Sequence, residues 1–184
     1  MYGLVNKAIR DLIVEKFGED KWLIISEKAG LSDPKFLPLQ TYPDEVTYNL
    51  VGSASEVLGL SPEEVLKAFG EYWVLFTARE GYGPVMDLFG SNLRSCLHNL
   101  NNLHARMGAL LPSLKPPRFV VKEDASGDLT IEYYSKRKGL GPMVVGLLSG
   151  LALKHKENVK VTALARVESD TCDRFEIQFL AKGA

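Results

Sequence analysis

Along the N-terminal half of the chain, apolar positions recur at helical spacing. Leu4, Val5, Ala8, Ile9, Leu12, Ile13 and the Lys16–Phe17 step follow an i, i+3, i+4 rule, which predicts an amphipathic helix ended by Gly18. A shorter helix around Trp22 to Ala29 stops at Gly30. Pro34 and Pro38 mark an irregular link before a third helix from about Asp44 to Leu58, with Gly59 as its C-terminal cap. Ser61-Pro62-Glu63-Glu64 combines a Ser N-cap, Pro at the first helical position and Glu three residues after the cap, predicting a fourth helix through Trp73 to about Ala78. After the turn-rich EGYGP stretch, Ser91 to Gly108 reads as one further helix, and Pro112, Pro116 and Pro117 keep the segment beyond it from being helical.

The period then changes from helical to two-residue. Arg118 to Glu123 and Asp128 to Ser135 alternate apolar and polar residues across DASGD, predicting a β-hairpin. An apolar helix, about Pro142 to Lys156, comes next. Val159 to Glu168 and Arg174 to Leu180, joined by SDTCD, predict a second hairpin beside the first. Helices, hairpin, helix, hairpin is an α+β order, and without internal repeats the simplest layout is a single domain with a helical N-terminal lobe.

Composition narrows the partners. With 184 residues and 46% hydrophobic content the chain can bury a core large enough to house a sizeable ligand. Its 22 basic and 23 acidic residues leave a net charge of −1, so no single-sign field draws it to nucleic acid or to acidic lipid. Cys96 and Cys172 lie far apart without CxxC spacing, implying neither a disulfide framework nor a zinc site, and a cytoplasmic location is expected. No signal peptide or membrane-inserting segment is visible.

One histidine stands where an aliphatic residue belongs. Leu93, Leu97, Leu100, His104 and Met107 recur at spacings of four, three, four and three, so His104 projects from the apolar stripe of its helix. Such an imidazole is either a satisfied core histidine or a metal ligand. His98 faces about 120° away on the same helix. His155, between Lys154 and Lys156 near a helix C-terminus, reads as surface. One histidine without a carboxylate or thiolate cluster cannot assemble a mononuclear zinc or iron site from protein ligands alone, whereas a haem brings four nitrogens and needs only one.

The two-residue period also puts Leu129, Ile131, Tyr133, Ser135 and Arg137 on one face of the strand LTIEYYSKR. Arg137 then lies at the rim of the core and requires an anion, toward which Tyr133 and Ser135 can donate. Two haem propionates would match these donors, and so would a protein carboxylate such as Asp44 or Glu45.

Taken in order, NNLHARMG, Pro117 thirteen residues after His104, and YYSKR resemble the H-NOX haem domains related to soluble guanylate cyclase. The likeness extends from MYGLVNKAI through VTYNLVGSASEVLG and FGEYWV to GPMVVGLLSGL. It implies an H-NOX fold, with a helical distal lobe over residues 1–60 and a proximal lobe over 61–184 that carries the ligand to haem b. It implies that His104 binds the iron, that Tyr133, Ser135 and Arg137 hold the propionates, that Pro117 presses on the porphyrin, and that Val5 lies against its distal face. Oxygen-binding members place a tyrosine at a position aligning with Met143, whose thioether cannot donate a hydrogen bond. Leu147 of the same segment is expected in the pocket too. Trp73 could donate through its indole nitrogen, although the ordinary role of such a residue is to fill the core. The resemblance therefore implies NO and CO binding without a stable dioxygen complex, no zinc, and release of His104 when NO binds. The expected role is sensing rather than catalysis, with output through a separate histidine kinase, cyclic-di-GMP enzyme or guanylate cyclase.

Two other function classes remain. A haem-free module could use the same cavity for a lipid or another apolar acid, with Arg137 on its carboxylate. An enzyme using His104 as general base ranks last, because no nucleophile or carboxylate is fixed on the same face.

Overall fold

The computed structural model describes residues 1–32, 35–77, 80, 83–88, 90–110, 113–165 and 172–180. The N-terminal helices are α1 (Gly3–Phe17), α2 (Glu19–Lys28), α3 (Asp44–Leu58) and α4 (Pro62–Thr77), followed by a short α5 (Gly83–Asp87) within the stretch read as turns. Helix α2 begins three residues before Trp22, because Glu19 and Asp20 in its first turn suit the positive end of the helix dipole. The predicted start of α4 is made as expected: the Glu64 amide donates to Ser61 Oγ at 3.2 Å while the Ser61 amide donates to Glu64 Oε2 at 2.7 Å. Gly59 closes α3 with φ of 68°, in the left-handed region that a side chain disfavours.

The single helix expected over Ser91 to Gly108 is instead two, α6 (Leu93–His98) and α7 (Leu100–Leu110), separated at Asn99. Asparagines cause the break by offering the backbone local partners. Asn92 caps α6 through a reciprocal pair with Ser95, and the Asn99 carboxamide donates to Ser95 O at 3.0 Å while accepting from Asn102 at 3.1 Å.

Among the described residues four antiparallel strands follow, β1 (Arg118–Glu123), β2 (Leu129–Tyr134), β3 (Val159–Ala163) and β4 (Asp173–Phe179), with α8 (Gly141–Lys154) between the hairpins. The sheet order is β1-β2-β4-β3, so the second hairpin does lie beside the first and the architecture is α+β. Of the run read from Val159 to Glu168, β3 takes Val159–Ala163, and residues 166–168 lie outside the described residues. Most of the SDTCD turn lies outside the described residues. Asp124 organises the first turn by accepting the amides of Ser126 at 2.9 Å and Asp128 at 3.1 Å.

The apolar interior forms two clusters. One joins α1 to α4 around Trp22, Ile25, Leu50 and Phe69. The other joins the sheet, α6 and α8 around Leu97, Leu129, Ile131, Phe175 and Leu148. Helices α4 and α8 belong to both: Val74 of α4 lies in the second cluster, while Met143 of α8 packs against the first. The two backbones meet directly, since a Cβ on Gly146 would sit 2.1 Å from Lys67 O and one on Gly70 would sit 2.2 Å from Met143 O. Among the described residues no helix is long and apolar enough to cross a membrane.

Candidate functional site

A cavity of about 730 Å³ draws its walls from both clusters, with Leu4, Val5 and Trp73 on one side and Leu100, Phe119 and Leu148 on the other. Helix α7 contributes Leu100, Leu103, His104 and Met107 to the wall, the positions its helical period puts on one face. The imidazole of His104 stacks on the Phe119 ring, with centroids 5.8 Å apart and planes 18° from parallel. Its Nδ1 is buried without a hydrogen-bond partner. Burial also pulls its pKa below the usual histidine value, so the ring is neutral near pH 7 and keeps a nitrogen lone pair for a metal. Among the described residues Nδ1 thus lacks the hydrogen bond that a satisfied core histidine would make.

One end of the cavity is polar. Arg137 grips Asp44 with two hydrogen bonds, Nε to Oδ2 at 2.8 Å and Nη2 to Oδ1 at 3.2 Å, and its Nη1 donates to Lys115 O at 3.1 Å. The N-terminal ammonium of Met1 donates to Asp44 Oδ1 and to Tyr42 O, both at 2.6 Å. Partial burial alone would raise the Asp44 pKa, but the hydrogen bonds from Arg137 and the N-terminus outweigh it and hold the carboxyl below its ordinary value. Asp44 is thus one anion that Arg137 meets.

The other expected site residues divide. Val5, Trp73, Leu147 and Arg137 line the cavity with His104, whereas Tyr133, Ser135, Pro117 and Met143 are not among its lining. Tyr133 is buried between Phe119 and Phe175, at centroid distances of 5.4 and 6.4 Å, and burial raises its pKa. The shared strand face stops there: β2 ends at Tyr134, Ser135 is exposed, and Ser135 Oγ accepts the Arg137 amide at 3.1 Å. Pro117 is half-buried just before β1. Met143 packs against the helical cluster, and Leu147, one turn on, reaches the cavity instead. Trp73 sits at the wall with its ring against Phe69 and Phe76, at centroid distances of 6.0 Å each. His155 is half-buried rather than on the surface, hydrogen-bonded to the Ser91 backbone, and its pKa is lowered, first by burial and then by neighbouring Lys154.

Sequence reasoning named Asp44 among the anions open to Arg137 but missed the ring beside His104 and the second cation on Asp44. Phe119 carried a signal only as an inward residue of β1, and nothing local tied it to an imidazole fifteen residues earlier. The N-terminal ammonium of Met1, which shares Asp44 with Arg137, carried none.

Residues 2–163 match the family described as Haem-NO-binding. The chain is 30% identical over 155 residues to soluble guanylate cyclase gcy-34 of Caenorhabditis elegans, covering 83% of this chain and 23% of that protein. Over 179 residues it is 28% identical to soluble guanylate cyclase gcy-35 of the same organism, covering 95% of this chain and 26% of that protein. The chain therefore spans about a quarter of the length of these relatives. In structure it is similar to an H-NOX protein from S. oneidensis in the Fe(II)NO ligation state, with a TM-score of 0.87 at 19% identity over 98% of this chain and 99% of that one. A mutant of T. Tengcongensis H-NOX gives a TM-score of 0.83 at 24% identity, over 97% of each chain.

Proposed function

Since the chain belongs to the Haem-NO-binding family of H-NOX domains, we propose that it is a gas sensor that takes NO and CO at a ferrous haem b, with His104 as the only protein ligand to the iron. The observation that carries this reading is the His104 imidazole in the wall of a largely apolar cavity, its buried Nδ1 without a hydrogen-bond partner among the described residues. The residues present fit the group. The cavity, about 730 Å³, falls within the roughly 300–1,000 Å³ usual for cofactor sites. At its polar end Arg137, Lys115 and the Met1 ammonium supply positive charge for two carboxylates, and a propionate there would share Arg137 with Asp44.

A haem bound there would be held by His104 and would supply an iron able to bind a diatomic gas. Around it the chain's own residues decide the rest. Val5, Trp73 and Leu147 give that pocket aliphatic and indole surface, and the ring contacts of Trp73 with Phe69 and Phe76 hold its indole within the core. NO and CO bind without a hydrogen-bond donor, and a stable dioxygen complex is not expected. His104 would be tether and trigger together, the residue that holds the iron and the one through which NO would act on the chain; its Nδ1 has no hydrogen bond among the described residues to fall back on. A ligand shifts a conformational equilibrium only by its differential affinity for the two states, and loss of the histidine bond is a physical source of that difference. The role is sensing rather than catalysis, and the signal passes to a partner such as a histidine kinase, a cyclic-di-GMP enzyme or a guanylate cyclase.

Absorption spectra of the ferrous protein under nitrogen, air, CO and NO test this reading. The expected result is a five-coordinate ferrous haem that changes with CO and NO and gives no stable oxy species in air. His104→Gly should lose the five-coordinate spectrum and regain it with added imidazole. A glycine variant whose spectrum is unchanged without imidazole overturns the ligand assignment. Expression with ample haem and no Soret band would favour a haem-free module that holds an apolar acid in the same cavity.

A further inference from the structure

Helix α7 carries His104 over the cavity and packs against α6 and β1. Strand β1 is an edge of the sheet. In the register with β2, Phe119 lies opposite Tyr133. Yet the Phe119 N–H donates to Asn101 Oδ1 at 2.9 Å, and Asn101 Nδ2 donates to Phe119 O at 2.6 Å. Both backbone groups of Phe119 therefore face the open side of β1, as they do at a non-hydrogen-bonded position of an antiparallel pair. The Asn101 carboxamide makes with them the two-bond exchange that a residue of a further strand would make. A planar group offering one donor and one acceptor is needed for this, which restricts the residue to asparagine or glutamine.

Asn101 stands three residues before His104, one helical turn away on a neighbouring face. It holds the backbone of Phe119, and the ring of Phe119 lies nearly parallel to the His104 imidazole. We propose that Asn101 is a positioning residue for His104, its clasp on the Phe119 backbone fixing the ring against which the imidazole rests. His104 has no hydrogen bond of its own at Nδ1 among the described residues, so the stacked ring sets the plane in which the imidazole sits. The clasp also covers the outward backbone pair of β1 at Phe119, where an edge strand would otherwise accept a foreign strand. Its meaning for an iron ligand rests on the function proposed above; the clasp itself does not.

The test compares Asn101→Ala, which loses both bonds, with Asn101→Asp, which keeps the acceptor for the Phe119 amide but sets a carboxylate oxygen against the Phe119 carbonyl. In the haem-free protein, hydrogen exchange at the Phe119 amide should speed up by about tenfold in Asn101→Ala, the loss of about one hydrogen bond, and stay nearer the parent in Asn101→Asp. The ring protons of His104 should carry an upfield ring-current shift from Phe119 that is lost in the alanine variant and reduced in the aspartate variant. In the haem-loaded ferrous protein, both variants should retain haem while the iron–histidine stretching band moves and broadens. Unchanged Phe119 exchange in Asn101→Ala overturns the clasp. A preserved ring-current shift alongside lost Phe119 protection overturns the positioning role. If the parent takes up no haem, the sensor reading fails, and the two resonance measurements still decide the role of Asn101. Circular dichroism of each variant separates these local effects from unfolding.

Discussion

Asp44 receives two cations in one small volume, the Arg137 guanidinium and the N-terminal ammonium. Because its folded pKa lies below the unfolded value, the pairing stabilises the protein above the unfolded pKa of about 3.9 and the contribution is lost as pH falls through the folded pKa. The side chain remains 35% exposed, so solvent screening limits the effect to about 1 kcal/mol. Urea unfolding should find Asp44→Asn less stable than the parent at pH 6, with the gap closing below about pH 4; a gap of constant size would show that the carboxylate charge is not its origin. At this scale His104 was legible because helical phase alone sets it among Leu100 and Met107. Arg137 was legible only as a cation in need of an anion, since a choice between a ligand carboxylate and Asp44, ninety-three residues away, depends on tertiary packing that no local pattern encodes.

Among the elements, α4 and α8 depend on the absence of side chains where they cross. Gly146→Ala would put a methyl 2.1 Å from the Lys67 carbonyl oxygen, backbone that cannot rotate away, and should cost about 1–3 kcal/mol of overpacking strain. Gly52→Ala on α3 meets nothing within 4 Å and should stabilise by about 0.5–1 kcal/mol through the helix preference of alanine. Thermal unfolding of the two variants should move in opposite directions, and a neutral Gly146→Ala would mean that the helices separate freely. Helix α3 and the capping box of α4 could be read in advance because both are written in adjacent residues. The division of α6 from α7 could not, since an unbroken apolar stripe crosses Asn99 and the competing carboxamide bonds of Asn92, Asn99 and Asn102 leave no trace in hydrophobic period.

For the whole molecule, the order of helices and hairpins was enough to state an α+β architecture, but not the partition of its interior. Two apolar clusters with α4 and α8 in common face each other across the cavity. Whatever fills that space touches both, so its binding energy joins them. Scanning calorimetry of the haem-free protein should show a broadened or two-step transition, and haem loading should merge it into one sharper peak at higher temperature. A ligand held at a hundred times its Kd adds roughly 2.7 kcal/mol to the folded state, and here that increment would fall on both halves at once. A single sharp transition in both forms would show that α4 and α8 alone couple the clusters. A cofactor bound there would serve as a keystone as well as a receptor: any event that loosened its hold on one wall would change how strongly the two clusters cooperate, and that change in cooperativity would itself be a signal.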